Sequence, residues 1–323
     1  MLRYLVRRVL GSIPVLLVAS FITFWLVRRA VDPLAKFRHD RDSARVLAEQ
    51  RKALGLDHPV IVQWWNWLTH FVRGDLGTST RTRDPVSGMI QHALWPTLQL
   101  MFWATIVSVV VALLLGTYSA VKQYSAGDYA VTGLSYLGLA MPDFWFALIA
   151  IAVLVTLPTV WFHLNQPILY SVGLHSPGDS GLNLDYFRHL ALPVLTLTFG
   201  AVASWSRFHR ASMLEVLNAD YVRTARAKGV PGHQVITRHV LRNALIPFTT
   251  VTALDTAFLV SGVIITERIF SIAGMGQGFL SALGAGDAPF LLAWFVIGAV
   301  AVIGMNLLAD VGYVALDPRI RLS

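Results

Sequence analysis

Three acids stand in or beside long uncharged stretches of this sequence: Asp143, Asp255 and Glu267. A carboxylate in an apolar medium costs ~3 kcal/mol or more, and it is retained where it faces a polar interior, a water-filled path or a hydrogen-bonding neighbour. Asp255 therefore has two readings. It lies on a path that polar solutes cross, close to where an amine would pair with it, or it is the packing partner of a polar group on a neighbouring helix. Asp143 and Glu267 share the first reading, and Glu267 has a second, ordering the loop that follows it. No HExxH pattern occurs, and His163, His175 and His189 lack ligand spacing, so no metal centre is expected. No GxxxxGK[ST] loop occurs. "GMGQG" at 274–278 follows an apolar run rather than a strand, so the chain is expected neither to bind nor to hydrolyse a nucleotide. Cysteine is absent, which removes thiolate chemistry and disulfides.

The second chemical feature is "YVRTARAKGV", Tyr221 to Val230. Arg223, Arg226 and Lys228 surround a thin body of Thr224, Ala225 and Ala227. Gly229 supplies a left-handed stop and Pro231 enforces it; Asn218 or Asp220 can cap the start. The helix from about Ala219 to Lys228 is roughly 15 Å long, too short to cross a bilayer. Such a helix suits a groove of another protein whose acidic groups meet the cations and set register. The other reading is contact with anionic lipid headgroups, which usually uses about 4–8 clustered cations. "HQVITRHVLRNALIP" follows and leads into an apolar run, a geometry that passes a push from a partner into that run.

The elements that must position these residues are membrane helices. Of 323 residues, 55% are apolar and 14% charged, against roughly 25% charged in a soluble domain, and the mean hydropathy is +0.59. Six stretches approach or exceed the ~20 apolar residues of a span: Val9–Val27, Leu94–Val121, Ala130–Phe162 with interruptions at Pro142 and Pro158, Leu190–Ser206, Ala244–Thr266 and Pro289–Ala309. Pro142, Pro193 and Pro247 are expected to break span geometry. The first span is read as a retained helix, because no small-x-small cleavage site follows it. The net charge of +8 reports orientation. Arg3, Arg7 and Arg8, the loop from Arg207 to Arg242, and Arg319 with Arg321 fall on one side of an even topology, which places both termini in the cytoplasm. Arg28 and Arg29 dissent.

The fold class is therefore all-α and polytopic, with six membrane helices. Residues 1–29 form the tail and first span, 30–93 an extracytoplasmic cap, 94–315 a five-helix core with a cytoplasmic loop at 207–243, and 316–323 a tail. In the cap, "SARVLAEQRKALG" reads as a helix capped by Ser43 and stopped at Gly55. "PVIVQWWNWLTHFVRG" reads as a second, whose Trp64, Trp65 and Trp67 anchor at the interface or fill the core of the cap. "GDLGTS" at Gly74–Ser79 is a glycine-rich turn.

"DYVRTARAKGV" followed by "RHVLRNALIP" resembles the cytoplasmic loop of the permease subunits of bacterial ATP-binding-cassette importers, most closely the dipeptide/oligopeptide branch, B-type subunit. The resemblance runs the whole length, through "MLRYLVRRVLGSIPVLLVASFITF", "GDLGTS", "MPDFW", "ITERIFSIAGMGQ" and "DVGYVALDPRIR". The general pattern is Glu-Ala-Ala, three residues and Gly, then Ile-x-Leu-Pro. Here Arg223 replaces the acid, Thr224, Ala225 and Gly229 follow, and Ala244-Leu245-Ile246-Pro247 closes it after a longer gap. The resemblance implies that Tyr221 to Gly229 is a coupling helix seated on an ATPase, and that the chain is a non-enzymatic subunit of a peptide importer in the bacterial cytoplasmic membrane. It implies a second permease, two cytoplasmic ATPases that bind ATP and Mg, and an external substrate-binding protein. Nickel chelates, haem or oligosaccharides are alternative cargoes. A stand-alone channel or proton-coupled carrier using Asp255 is the alternative mechanism.

Overall fold

The structure, a computed structural model, describes residues 2–31, 48–49, 51–52 and 55–316. Of the helix expected from Ser43 to Gly55, residues 48–49 and 51–52 are described and are helical, and Gly55 is left-handed at its expected stop; Ser43 itself and the C-terminal Arg319 and Arg321 lie outside the described residues. Among the described residues the regular structure is helical, apart from one bridge between Thr78 and Pro85. The helices are α1 (Leu2–Ala30), α2 (Val60–Val72), α3 (Val86–Val121), α4 (Ala126–Ala140), α5 (Asp143–Trp161), α6 (Leu184–Leu217), α7 (Asp220–Ala227), α8 (Arg242–Ile269), α9 (Met275–Ala285) and α10 (Ala288–Leu316). Five carry stretches long and apolar enough to cross a membrane: Val6–Ala30, Val86–Val121, Asp143–Trp161, Leu184–Leu217 and Ala288–Leu307. The expected span at Ala244–Thr266 lies on the 28-residue α8, part of whose side chains lie outside the described residues.

Prolines act differently from the sequence expectation. Pro142 does end a helix: Met141 before it is extended, at φ −92° and ψ 122°, because a residue preceding proline is pushed out of the helical region. The expected Ala130–Phe162 segment thus becomes α4 and α5. Pro193 and Pro247 do not break their helices. Ahead of Pro158 a π-helical turn at Ala152–Thr156 widens α5, which relieves the clash of the ring with the carbonyl four residues earlier. The shortest expected span, Leu190–Ser206, is the middle of the 34-residue α6. Asn183 starts that helix, its Oδ1 accepting from Tyr186 N at 2.9 Å, a cap of the kind that fixes helix starts.

The chain forms two compact units, with the division falling inside α3 and α10. The first holds residues 1–95 and 273–303. Its core joins Phe24 and Val27 of α1, Trp64 of α2, Ile90 of α3 and Phe290 of α10. Trp64 donates its indole N–H to Ser20 Oγ at 3.2 Å and meets Phe21 edge-on. Trp67 packs against Phe24 and Phe71, and Trp65 is exposed. The tryptophans therefore divide between the two roles the sequence allows. The "GDLGTS" turn, with Gly74 and Gly77 left-handed, ends on buried Asp287: Ser79 Oγ donates to Asp287 Oδ2, and Thr80 N donates to Asp287 Oδ1 at 3.0 Å.

The second unit holds residues 96–272 and 304–323. Its axis is α6, which packs against α4, α5 and α8. Close crossings occur at glycines: a Cβ on Gly116 of α3 would lie 2.7 Å from Ser206 O, and one on Gly138 of α4 would lie 2.7 Å from Ala203 Cβ. Missing side chains let membrane helices approach backbone to backbone.

Candidate functional site

α7 is an eight-residue helix hung between α6 and the segment that leads into α8. Its cap position is Ala219, extended and without a side-chain bond, rather than the expected Asn218 or Asp220. Asn218 instead closes α6, its Nδ2 donating to Leu214 O at 3.0 Å. Asp220 sits in the first turn of α7 and Arg226 in the last, each opposite in sign to the helix-dipole end it meets. Gly229 adopts the left-handed φ of +78° read from the sequence. Beyond it the chain runs helically from Gly232 into α8, but with a π-helical stretch at Val235–Leu241 that the sequence reading missed. A wide turn of this kind inside a long helix commonly marks a functional site.

The helix has two faces. Val222 and Ala225, one turn apart, are buried against Ala120 of α3, Met213 of α6, Val235 and Val240 of the π stretch and Ala244 of α8. Tyr221, Arg223, Thr224, Arg226, Ala227, Lys228 and Gly229 are exposed. The resemblance assigns Tyr221 and Arg223 to Gly229 to the coupling helix; of these the structure turns Ala225 inward onto this chain's own core. Arg223 Nη1 lies 3.6 Å from Asp220 Oδ1, both exposed, an arrangement that contributes little to stability. Beside α7 a cavity of about 300 Å³ is lined by Ala120, Gln123, Leu214, Asn218, Arg226 and Ile236, among others.

Next to this cluster, three helix ends converge on one carboxylate. Arg210 of α6 grips Asp128 of α4 with Nε to Oδ1 and Nη2 to Oδ2, each at 2.9 Å. Ser119 Oγ of α3 donates to Oδ1, and Tyr124 N donates to Oδ2 at 2.9 Å. Asp128 is buried. The Arg210 hydrogen bonds, reinforced by Ser119 and Tyr124, hold its carboxyl well below the usual carboxylate range. Sequence reading missed the pair, since its members are 82 residues apart.

The three sequence-selected acids are not gathered into one site. Asp255 of α8 accepts the indole N–H of buried Trp205 of α6 at 2.8 Å, the packing role that the sequence left open. Glu267 is fully buried near the end of α8, where Thr97 Oγ1 donates to its Oε1 at 2.5 Å. Its backbone carbonyl accepts Ile272 N in the turn after α8, a bond that does not depend on the carboxylate. Asp143 opens α5, exposed, and a Cβ on Gly200 of α6 would lie 3.3 Å from its Oδ1. Among the described residues no group of three or more His, Cys, Asp or Glu is placed to hold a metal ion.

The family model described as "Binding-protein-dependent transport system inner membrane component" matches residues 112–322, and the matching N-terminal component covers residues 1–108. The chain belongs to this family. Members are multi-pass permease subunits of ATP-binding-cassette importers and are not themselves catalytic, the ATPase being a separate subunit. The oligopeptide transport system permease protein AppB of Bacillus subtilis is 38% identical over 323 residues, covering 99% of this chain and 100% of that protein. The glutathione transport system permease protein GsiC of Salmonella typhi is 34% identical over 99% of each chain. The inward-facing methionine transporter MetNI shares the fold, with a TM-score of 0.56 at 17% identity over 71% of this chain and 96% of the other.

Proposed function

We propose that this permease imports peptides, and that α7 is the helix on which a cytoplasmic ATPase acts. The observation that carries the reading is the two-faced α7: a buried side fastened to the bundle and a cationic side left open. The fastening to α3, α6 and α8 is what a lever needs, and a lipid contact needs none of it. Peptide as cargo is supported by full-length relatives named for oligopeptide and glutathione transport.

In this reading six spans cross the bacterial cytoplasmic membrane with both termini inside. Residues 30–93 form an outer cap, 94–315 the core with its loop at 207–243, and 316–323 a cytoplasmic tail. A second permease completes the pathway, two ATPase subunits bind ATP and Mg, and an external binding protein delivers peptide. ATP binding closes the ATPase pair, α7 moves with it, and the pathway changes its open side; each partner must bind the two states with different affinity to drive the change. Asp255 and Glu267 act here as structural carboxylates more than as pathway charges, because each already accepts a hydrogen bond from a neighbouring helix; Asp143, exposed at the start of α5, keeps the pathway reading.

The test is ATP-driven uptake of labelled peptide by proteoliposomes holding the chain with its co-purified subunits. Arg223→Glu is expected to abolish uptake with assembly intact in detergent. Peptide uptake at the wild-type rate by that variant, or uptake that follows a proton gradient without ATP, overturns the reading.

A further inference from the structure

α7 is anchored by apolar contact, which is non-directional and lets surfaces slide. A bidentate guanidinium–carboxylate pair is different: its two parallel bonds fix both distance and angle. The pair of that kind beside α7 joins Arg210, about two turns before the end of α6, to Asp128 in the first turn of α4. Ser119 Oγ, which also accepts Arg210 Nε at 3.1 Å, adds the end of α3. Tyr124 in the intervening turn stands at φ +62°, a left-handed conformation that side-chain-bearing residues rarely adopt, and its N–H is held by Asp128. Further along, α4 and α6 stay in register: Arg207 lies over the Tyr136 ring at 4.5 Å, Ser135 Oγ meets Ser206 Oγ at 3.3 Å, and Gly138 admits Ala203. α6 leads into α7 through only Asn218 and Ala219, which are themselves hydrogen-bonded to the last turn of α6.

We propose that Asp128 and Arg210 are a positioning pair that makes the α3–α4 turn travel with the α6 end and α7 as one body, so that displacement of α7 reaches α3 and α4. The proposal rests on the reading of α7 given above. The two residues act through the helix ends they join. The apolar cluster holds α7 in place, and the pair determines what moves with it.

The assembled transporter in proteoliposomes tests this. The chain contains no cysteine, so Lys122→Cys in the α3–α4 turn and Glu215→Cys near the end of α6, both exposed sites, are the only thiols this chain offers a spin label; the complex is assembled from the labelled chain and its unlabelled partners. The label-to-label distance is expected to stay the same with and without ATP plus vanadate. Asp128→Asn and Arg210→Met are each expected to broaden it and to raise the ATP consumed per peptide at least threefold, and the double variant to be no worse than the poorer single one. A merely structural pair lowers thermal stability and leaves the ATP-to-peptide ratio alone; that result overturns the proposal, as does a wild-type distance that changes between nucleotide states. If either variant fails to accumulate, Arg210→Lys keeps the charge without the fork, and an unchanged ratio in it is equally adverse. Arg223→Glu on the open face of α7 separates the two readings. If it uncouples while the pair variants do not, the pair fails and the lever stands; if it leaves ATP-driven uptake intact, the lever fails.

Discussion

Trp205 on α6 donates its indole N–H to Asp255 Oδ2 on α8 at 2.8 Å, and the indole is buried. Asparagine keeps an oxygen acceptor at this position and leucine does not. Asp255→Asn is expected to retain peptide uptake within about twofold and to leave it insensitive to collapse of the proton gradient. Asp255→Leu strands a buried donor, which costs about 1–3 kcal/mol, and lowers the melting temperature in detergent. Loss of transport in the asparagine variant at unchanged stability would return Asp255 to the pathway.

The two faces of α7 give opposite phenotypes. Val222 is fully buried, so Val222→Ala removes two carbons from a packed cluster and is expected to cost about 2 kcal/mol. It reduces the amount of folded chain while the surviving molecules transport normally. Arg223→Glu leaves the stability within roughly 0.5 kcal/mol of wild type, as surface changes do, and removes at least nine-tenths of uptake. Ala225→Asp behaves like a folding variant, because its carboxylate enters the cluster. Uptake normalised to folded protein separates the classes.

Helix stops and hydropathy are local, and they were legible, although the cap of α7 falls on Ala219 rather than on Asn218 or Asp220. α7, its left-handed stop at Gly229 and the long apolar helices follow from residues within one or two turns of each other. The inward face of α7 was also readable, since Val222 and Ala225 are spaced i, i+3, but a helix of eight residues gives that pattern little weight. The pairs that organise each unit had no local signal. Asp128 meets Arg210 across 82 residues and Asp287 meets Ser79 across 208, so neither partner marks the other. Gly116 and Gly138 look like ordinary small residues of apolar helices until α6 is laid against them. The split of the third run at Met141 was visible, since Pro142 announces it, whereas Pro193 and Pro247 carry the same local signal and sit inside continuous helices.

The pH dependence of stability carries the signature of Asp128. Its carboxyl, outside the membrane spans, is held below its usual value of 3.8 by Arg210, Ser119 and Tyr124. A depressed folded-state value means the unfolded chain takes up the proton first, so the stabilisation is fully present above about pH 5 and is lost as pH falls from about 4 through the folded value. Melting temperature measured downward from pH 6 is expected to fall less steeply in Asp128→Asn than in wild type, from a lower starting point. Parallel acid limbs in the two proteins would show that the network does not hold the charge.

Asp287 tests the first unit independently of α7. It lies between the left-handed Gly286, which ends α9, and the start of α10, and its carbonyl accepts Leu291 N. Its carboxylate takes Ser79 Oγ on one oxygen and Thr80 N on the other, while Ser79 Oγ in turn accepts the N–H groups of Arg81 and Thr82. Removing the carboxylate leaves donors of the turn without their partner, at about 1–3 kcal/mol for each one kept from water. Asp287→Ala is therefore expected to loosen the turn from Gly74 to Val86 and raise amide exchange there at least tenfold. Asp287→Asn, which can still accept from Thr80 N but presents an amide to one hydroxyl, falls between. Because Ser79 and Asp287 belong to the same unit, exchange in α6 and α7 should not change. Spread of the faster exchange into those helices would mean that the turn also supports the second unit.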